Sequence, residues 1–376
     1  MSVLFEPVKI GSLEIKNRFV RSATYFALSD ADGFIGQPSV DLMKTLAENE
    51  VGLNITGYAY VLKSGQSFAD MNGIQDDDHI SGYQKMTKAV HDAGGRIVMQ
   101  IAHCGIASET AARTGGDYMA VSVTDELPRI PDYGRKPREM NDEDIERIIE
   151  AFGQAARRVQ EAGFDGVQIH GAHGYLVSQF LSPRSNRRED KWGGSLENRM
   201  RFVIEVARAI KKQVDPGFPV MIKLGVCDYL EEGIGLTVEE GAEVAKSLEK
   251  EGICLTEVSH GLQDAAYRKR FLGVTEPEKE AYYLPQARVI RAAITGRLSL
   301  VGGMRSLPVM EEIVTSGTAD CISICRPLIR EPGLIKRWKD GDTRPADCIR
   351  CGGCFNFDQE EKKMHIYCRQ LKKEQE

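Results

Sequence analysis

Phe164-Asp-Gly-Val167-Gln-Ile169-His170-Gly-Ala-His173-Gly-Tyr175 runs from a core-type apolar segment straight into two imidazoles and a phenol. The apolar part reads as a buried parallel strand, because strands covered on both faces lose the polar and apolar alternation of half-exposed ones. The polar part then lies just past the carboxyl end of that strand, where α/β folds collect their chemistry. Two histidines three residues apart can aim donors at one oxygen, and a tyrosine two residues further on can supply a proton. The same pair also reads as a fragment of a metal site, although no Asp, Glu or third His stands beside it at ligand spacing. The stretch continues through Phe180-Leu-Ser-Pro-Arg184-Ser-Asn186-Arg-Arg-Glu-Asp190 to Gly193-Gly-Ser-Leu-Glu-Asn198-Arg199.

Similar β-rich runs recur at 17–23, 52–59, 96–103, 166–170, 220–225, 254–260, 298–303 and 321–325, separated by amphipathic stretches. Asn141-Asp-Glu-Asp144 starts one helix with an Asn cap and an acidic first turn, and Ile145, Ile148, Ile149 and Phe152 follow at helical spacing. Thr237-Val-Glu-Glu240 starts another as a capping box. Eight strands, each but the last followed by a helix, predict an α/β fold: a (β/α)8 TIM barrel with a short C-terminal cysteine-rich tail. A doubly wound open sheet is the alternative, and the Gly-x-Gly-x-x-Gly turn that would mark it is missing after the first strand. The barrel is expected over 1–340, ending near Trp338-Lys-Asp-Gly341, and the tail over 341–376. Residues 105–140 carry no clear helix pattern and read as a lid or binding loop. Residues 262–284 are similar and carry Tyr267, Arg268, Lys269, Arg270, Tyr282 and Tyr283.

The chain has 376 residues, 42% hydrophobic and 28% charged, which suits a globular protein with a sizeable core. A net charge of -6 argues against nucleic acid as a partner. No apolar run approaches the ~20 residues of a membrane span. The opening Met1-Ser-Val-Leu-Phe-Glu-Pro lacks a signal-peptide pattern, so a cytoplasmic location is expected. Nine cysteines in such a location argue against disulfides. Cys104, Cys227, Cys254, Cys321 and Cys325 lie in apolar runs and read as small core residues.

The other strand ends carry chemistry too. The first ends in Ser22-Ala23-Thr24-Tyr25 and the second in Thr56-Gly-Tyr58; the third carries Gln100 and His103 and the fifth Lys223. The seventh ends in Gly302-Gly303 and the eighth in Cys325-Arg326, where glycine amides and a forked cation suit a phosphate. Each has a plainer reading: Gln100 as a satisfied amide, Lys223 as an ion-pair partner of Glu257, Gly302-Gly303 as a tight turn.

Taken together, these residues resemble the Old Yellow Enzyme family of FMN-dependent oxidoreductases. The likeness runs from Leu4-Phe-Glu-Pro-Val-Lys-Ile-Gly and Lys16-Asn17-Arg18 to Arg326-Pro-Leu-Ile-Arg-Glu-Pro332, and is most specific at His170-x-x-His173-Gly-Tyr175 with its Leu-Ser-Pro continuation. The resemblance implies catalytic roles for Tyr175, His170 and His173, with the histidines on a substrate carbonyl oxygen and Tyr175 as proton donor. It implies FMN contacts at Ala23, Thr24, Tyr25, Tyr58, Gln100, His170, Lys223, Gly302, Gly303, Cys325 and Arg326. Among these, Gln100 meets the pyrimidine edge, Lys223 the N1 and O2 region, and Gly303 and Arg326 the phosphate. NAD(P)H is the implied hydride donor and the C=C of an enone or enoyl thioester the acceptor. Two positions depart from the family. Tyr25 stands where many members have Thr or Cys beside flavin C4 and O4, and Lys223 replaces an Arg, keeping the charge and losing the fork.

Cys348-Ile-Arg-Cys351-Gly-Gly-Cys354 is C-x2-C-x2-C, with Cys368 beyond thirteen intervening residues. Three thiolates at that spacing can wrap one corner of a cubane and a distant fourth can close it, so a [4Fe–4S] cluster is expected, with zinc as the alternative. The tail resembles the iron–sulfur segment of 2,4-dienoyl-CoA reductase and trimethylamine dehydrogenase, which continue into a second nucleotide-binding portion. Here the sequence ends at Glu376, so either an electron-transfer partner subunit or a structural cluster is expected. Competing readings are an amine or N-methyl dehydrogenase, with Tyr25, Tyr58 and Tyr60 as an aromatic cage, and an electron-transfer subunit of a larger complex. A small-molecule substrate and a homo-oligomer complete the expectations. Arg268-Lys-Arg270 reads either as a contact for a CoA phosphate or as a solvated loop.

Overall fold

Apolar runs covered on both faces need a closed wall, and a computed structural model describing residues 2–123, 134–230, 233–358 and 363–375 shows one. Its strands are β1 (Phe19–Arg21), β2 (Leu53–Ile55), β3 (Ile97–Ala102), β4 (Gly166–Gly171), β5 (Val220–Gly225), β6 (Leu255–Ser259), β7 (Arg297–Leu300) and β8 (Cys321–Ile324). All pair in parallel; β8 returns to β1, and β3 joins β4, so the sheet closes as a barrel. The strands are mostly shorter than the apolar runs that encode them, because the last residues of each run leave the ladder and line the mouth.

The outer ring is α1 (Gln37–Glu48), α2 (Ile80–Asp92), α3 (Asp142–Glu161), α4 (Leu196–Gln213), α5 (Val238–Lys250), α6 (Leu284–Ala293), α7 (Leu307–Thr315) and α8 (Leu334–Lys339). Both expected caps form. Asn141 and Asp144 cap α3 reciprocally, as do Thr237 and Glu240 at α5. Ile145, Ile148 and Phe152 are buried in the main core, and Ile149 packs at its edge. The last strand also has helices after it, Arg326–Arg330 and α8, each with a basic last turn.

An N-terminal hairpin, Val8–Ile10 with Leu13–Ile15, closes the bottom. Its alternate residues Val8, Ile10, Leu13 and Ile15 pack on Val20, Leu53, Ile55, Val98, Met221, Leu255 and Cys321 of the wall strands. The span 105–140 is not the structureless loop expected. It contains a helix, Glu109–Thr114, and a parallel pairing of Met119–Ala120 with Arg138–Glu139. Arg138 ties that pairing to α3 through Asp117 and Asp144, a long-range ion network that local sequence does not announce. Residues 124–133 of this expected lid lie outside the described residues. The span 262–284 likewise carries a short helix, Ala265–Lys269.

The tail folds back over the barrel mouth. Arg305 and Ala346 exchange hydrogen bonds, and the Gly273 amide donates to the Arg350 carbonyl at 3.0 Å. Beyond the cysteines, β9 (Phe355–Asp358) pairs antiparallel with β10 (Lys363–Ile366). All cysteines are free thiols; Cys104, Cys227 and Cys321 are buried and Cys254 is half-buried, as core residues should be.

Candidate active site

A cleft of about 710 Å³ opens at the carboxyl ends of the strands, within the size range of cofactor sites. An adjacent cavity of about 180 Å³ shares His173, His260, Tyr282, Tyr283, Cys325 and Arg326 with it. Ala23, Thr24, Tyr25, Tyr58, Gln100, His170, His173, Tyr175, Cys325 and Arg326 line the cleft, and Lys223 and Gly303 the cavity. Eight strands thus bring nearly the whole expected set together. Cys325 is the exception among the five scattered cysteines: it is half-buried, lines the cleft and meets the Thr24 hydroxyl at 2.7 Å.

A buried polar chain crosses the barrel beneath. Gln100 Nε2 donates to Gln168 Oε1 at 2.7 Å, and Gln168 Nε2 to Glu257 Oε2 at 3.0 Å. Ser22 Oγ donates to Glu257 Oε1, and Lys223 Nζ donates to Ser22 Oγ at 2.6 Å and to Glu257 Oε1 at 3.1 Å. Strand register sets this up: His170 stands opposite Lys223 on β5, and Lys223 opposite Glu257 on β6. Burial alone would raise the Glu257 carboxyl; the Lys223 ammonium and the hydrogen bonds hold it below the usual range. Lys223 therefore fulfils both readings, as an ion-pair partner and as a cation on the cavity wall.

Above this floor sits the motif. His170 is 3% exposed, and its Nδ1 accepts from the Ala172 amide, which assigns the proton to Nε2. Burial, and the Lys223 charge after it, push its pKa well below 6.5, so the ring is a neutral donor. His173 has φ +63°, a left-handed backbone uncommon for a side-chain-bearing residue. Its amide donates to the His260 carbonyl, its Nε2 meets Ser259 Oγ at 2.9 Å, and its ring lies 5.1 Å from that of His170. Tyr175 Oη is 2.9 Å from Tyr58 Oη. Burial, with Tyr58 beside it, pushes the Tyr175 phenol well above 10, so it keeps its proton.

Several expectations need correction. Gly302 lines neither space; its carbonyl accepts from the Tyr282 amide at 3.2 Å, a long-range contact with the 262–284 span. His103 stays out of the mouth, packed on Gly65 with its Nε2 3.2 Å from Ser64 Oγ. Tyr60 donates to the Asp32 carbonyl and lines no part of the cleft, while the Tyr25 hydroxyl is committed to Asp70, so the three-tyrosine cage does not form. The Arg268 side chain lies outside the described residues; Lys269 and Arg270 are exposed. His260 was not among the expected residues, yet it lines both spaces with its ring 4.7 Å from that of His173. Its position, directly after the β6 run, is the same strand-end signal that marked the others.

The residues fit a flavin nucleotide. An amide edge at Gln100, a buried cation at Lys223, and the Gly303 turn with Arg326 face one continuous wall of side chains. A further guanidinium, Arg350, is 2% exposed and leaves Nε and Nη2 without a partner. Cys348, Cys351, Cys354 and Cys368 line one small cavity together with Arg326, Arg330 and Arg369. Among the described residues, however, no group of three or more Cys, His, Asp or Glu is placed to hold a metal ion. Nor, among those residues, is any helix long and apolar enough to cross a membrane.

The sequence pattern of the NADH:flavin oxidoreductase / NADH oxidase family matches residues 3–344. The chain is 35% identical over 357 residues to an NADH oxidase of Thermoanaerobacter brockii, covering 94% of this chain and 53% of that protein. It is 36% identical over 332 residues to an NADPH dehydrogenase of Geobacillus sp. (strain WCH70), covering 88% of this chain and 92% of the other. The solved structure of 2-naphthoyl-CoA reductase superposes with a TM-score of 0.82 at 30% identity, over 94% of this chain and 54% of that one. The chain thus spans about half the length of the first and third of these proteins and nearly all of the second. With this match over the whole barrel and the His170, His173 and Tyr175 constellation in its mouth, the chain belongs to the Old Yellow Enzyme family of NADH:flavin oxidoreductases.

Proposed function

We propose that this protein is an FMN-dependent ene-reductase that uses NAD(P)H to reduce the activated C=C of an enone or enoyl thioester. The observation that carries this is the pair of imidazoles His170 and His173 in the cleft, with His170 held neutral and Tyr175 held protonated. FMN, held by these residues, would supply the two-electron hydride chemistry that links NAD(P)H to the activated C=C. His170 and His173 hold the carbonyl oxygen and stabilise the negative charge that develops there. Tyr175 delivers a proton to the α-carbon, with Tyr58 Oη at 2.9 Å fixing the phenol. A carbonyl oxygen needs such donors, whereas a tertiary amine needs a cage, and Tyr60 is absent from the cleft.

The test is anaerobic stopped flow. The flavin absorbance bleaches with NADH or NADPH and recovers on mixing with an enone or an enoyl-CoA. A reduced flavin that no unsaturated carbonyl reoxidises within minutes would remove this reading. The name 2-naphthoyl-CoA reductase favours including aromatic acyl-CoA thioesters among the candidates.

A second reading concerns the tail. Cys354 lines both the cleft and the cysteine cavity, so the four thiols adjoin the flavin site. We infer that Cys348, Cys351, Cys354 and Cys368 hold a [4Fe–4S] cluster that exchanges electrons with a partner subunit, the barrel over 1–340 and the tail over 341–376 acting as separate functional portions. The cationic neighbours Arg326, Arg330 and Arg369 suit thiolate ligands. Anaerobically purified protein is expected to contain four iron and four sulfide per chain, and Cys351→Ser to lose them while FMN remains. One zinc with no sulfide would replace the cluster by the alternative. The same proposal carries a homo-oligomer, a small-molecule substrate and cytoplasmic residence.

A further inference from the structure

Arg350 stands between Cys348 and Cys351 and lines both the cysteine cavity and the neighbouring cavity of about 180 Å³. It is among the largest side chains buried in the protein, 2% exposed, with its backbone at φ +55°. Nη1 donates to the Val274 carbonyl at 3.0 Å, and the guanidinium lies 5.2 Å from the Tyr282 ring centroid. Nε and Nη2 have no partner. Buried donors are almost always satisfied, so two orphans on one guanidinium mark a missing acceptor. No carboxylate fills that role: the neighbouring Glu280 is taken up by Ser306 Oγ and by the amides of Arg305 and Ser306.

The surroundings say what the acceptor is. Arg350 lines the cavity of about 180 Å³ together with Gly303, Ser323 and Arg326. Its guanidinium lies flat against the Gly303 backbone: a Cβ at 303 would be 2.8 Å from Cζ, 2.9 Å from Nη1 and 3.0 Å from Nη2. Gly303 has φ +75°, so it is required twice, for its backbone and for this close approach. Two guanidiniums thus face one cavity. A phosphate monoester carries about −1.5 to −2 charges and three acceptor oxygens, enough for both forks.

We infer that Arg350 is a direct ligand of the flavin 5′-phosphate, so that the loop bearing the cysteines also forms a wall of the phosphate site. The inference rests on the flavin reading above and deepens it. The Arg350 carbonyl also accepts from the Gly273 amide, so the same residue joins the cysteine loop to the 262–284 span.

The test compares FMN with riboflavin, which lacks only the phosphate. Full-length chain freed of flavin is titrated with each, following flavin fluorescence, with and without inorganic phosphate. Wild type should bind FMN more tightly than riboflavin, and phosphate should compete with FMN. Arg350→Gln should weaken FMN by about ten- to a hundredfold, the value of one charge-assisted contact, and leave riboflavin within about twofold. Arg350→Lys keeps the charge and loses the fork, so its FMN loss should be intermediate. Equal losses for both flavins would make Arg350 a purely structural strut and overturn the inference, as would no loss for FMN. If Arg350→Gln does not fold, Arg350→Lys decides on the same ratio. Wild type that binds neither flavin would instead remove the flavin reading itself.

Discussion

Replacing His170 by alanine lowers turnover of an unsaturated carbonyl by about 10²–10³-fold, the usual effect of removing one donor from a developing oxyanion. FMN is expected to stay bound and NAD(P)H to be oxidised still, because the residues proposed for the phosphate and the pyrimidine edge, Gly303, Arg326 and Gln100, are other than His170. The loss falls on the oxidative half-reaction, read as the rate at which substrate reoxidises reduced enzyme. Unchanged reoxidation in His170→Ala would take the carbonyl away from His170. The pH dependence follows from the direction of its pKa. Burial holds the folded pKa well below 6.5, so the folded chain binds fewer protons here than the unfolded one. The stability His170 contributes is therefore fully present above about pH 6.5 and is lost as pH falls from there toward the folded value. Between pH 7 and 9 the rate should show no imidazole titration from His170, since the neutral Nε2–H donor persists throughout. A break near pH 6.5 that vanishes in His170→Asn would contradict this.

Glu257→Ala has the largest expected effect on stability, a loss of about 3–5 kcal/mol. Glu257 is fully buried and accepts from Lys223, Ser22 and Gln168. Its removal leaves the Lys223 ammonium buried without a counter-charge, which costs far more than the pair itself contributes. The double variant Lys223→Met with Glu257→Leu should recover most of that loss, because apolar side chains of similar volume replace a buried ion pair at little cost. It should nevertheless bind flavin less well, having lost the cavity cation. Denaturant midpoints measure the first effect and flavin titration the second. A Glu257→Ala chain within about 1 kcal/mol of wild type would show that the pair is not the keystone of the floor.

The features legible in the sequence share one property: each is encoded over a few residues. The helix starts at Asn141 and Thr237 are local hydrogen-bond patterns, and both form as written. The eight apolar runs are a local hydropathy signal, and each becomes a wall strand, though trimmed where its end turns into the mouth. The His170 to Tyr175 motif is a local spacing at one strand end. The rule that catalytic groups gather at strand ends then places Gln100, Lys223, Gly303 and Arg326 around it. The same rule picks out His260, which lacked a motif to draw attention to it.

The sequence by itself therefore determined the barrel, the family and the place of His170, His173 and Tyr175 in the mouth, because these depend on short-range order and on the carboxyl-end geometry that parallel strands impose. Only the tertiary structure decided how the groups are wired. Ser22, 201 and 235 residues from Lys223 and Glu257, joins them in one network. Tyr25 is spent on Asp70 and Tyr60 is turned away from the cleft. Arg350, one of the two residues between Cys348 and Cys351, becomes a buried cation against Gly303. Such contacts arise from barrel closure and from the fold-back of the tail, and no local pattern records them, because a side chain's partner across a closed sheet is set by register and shear rather than by its neighbours in the chain.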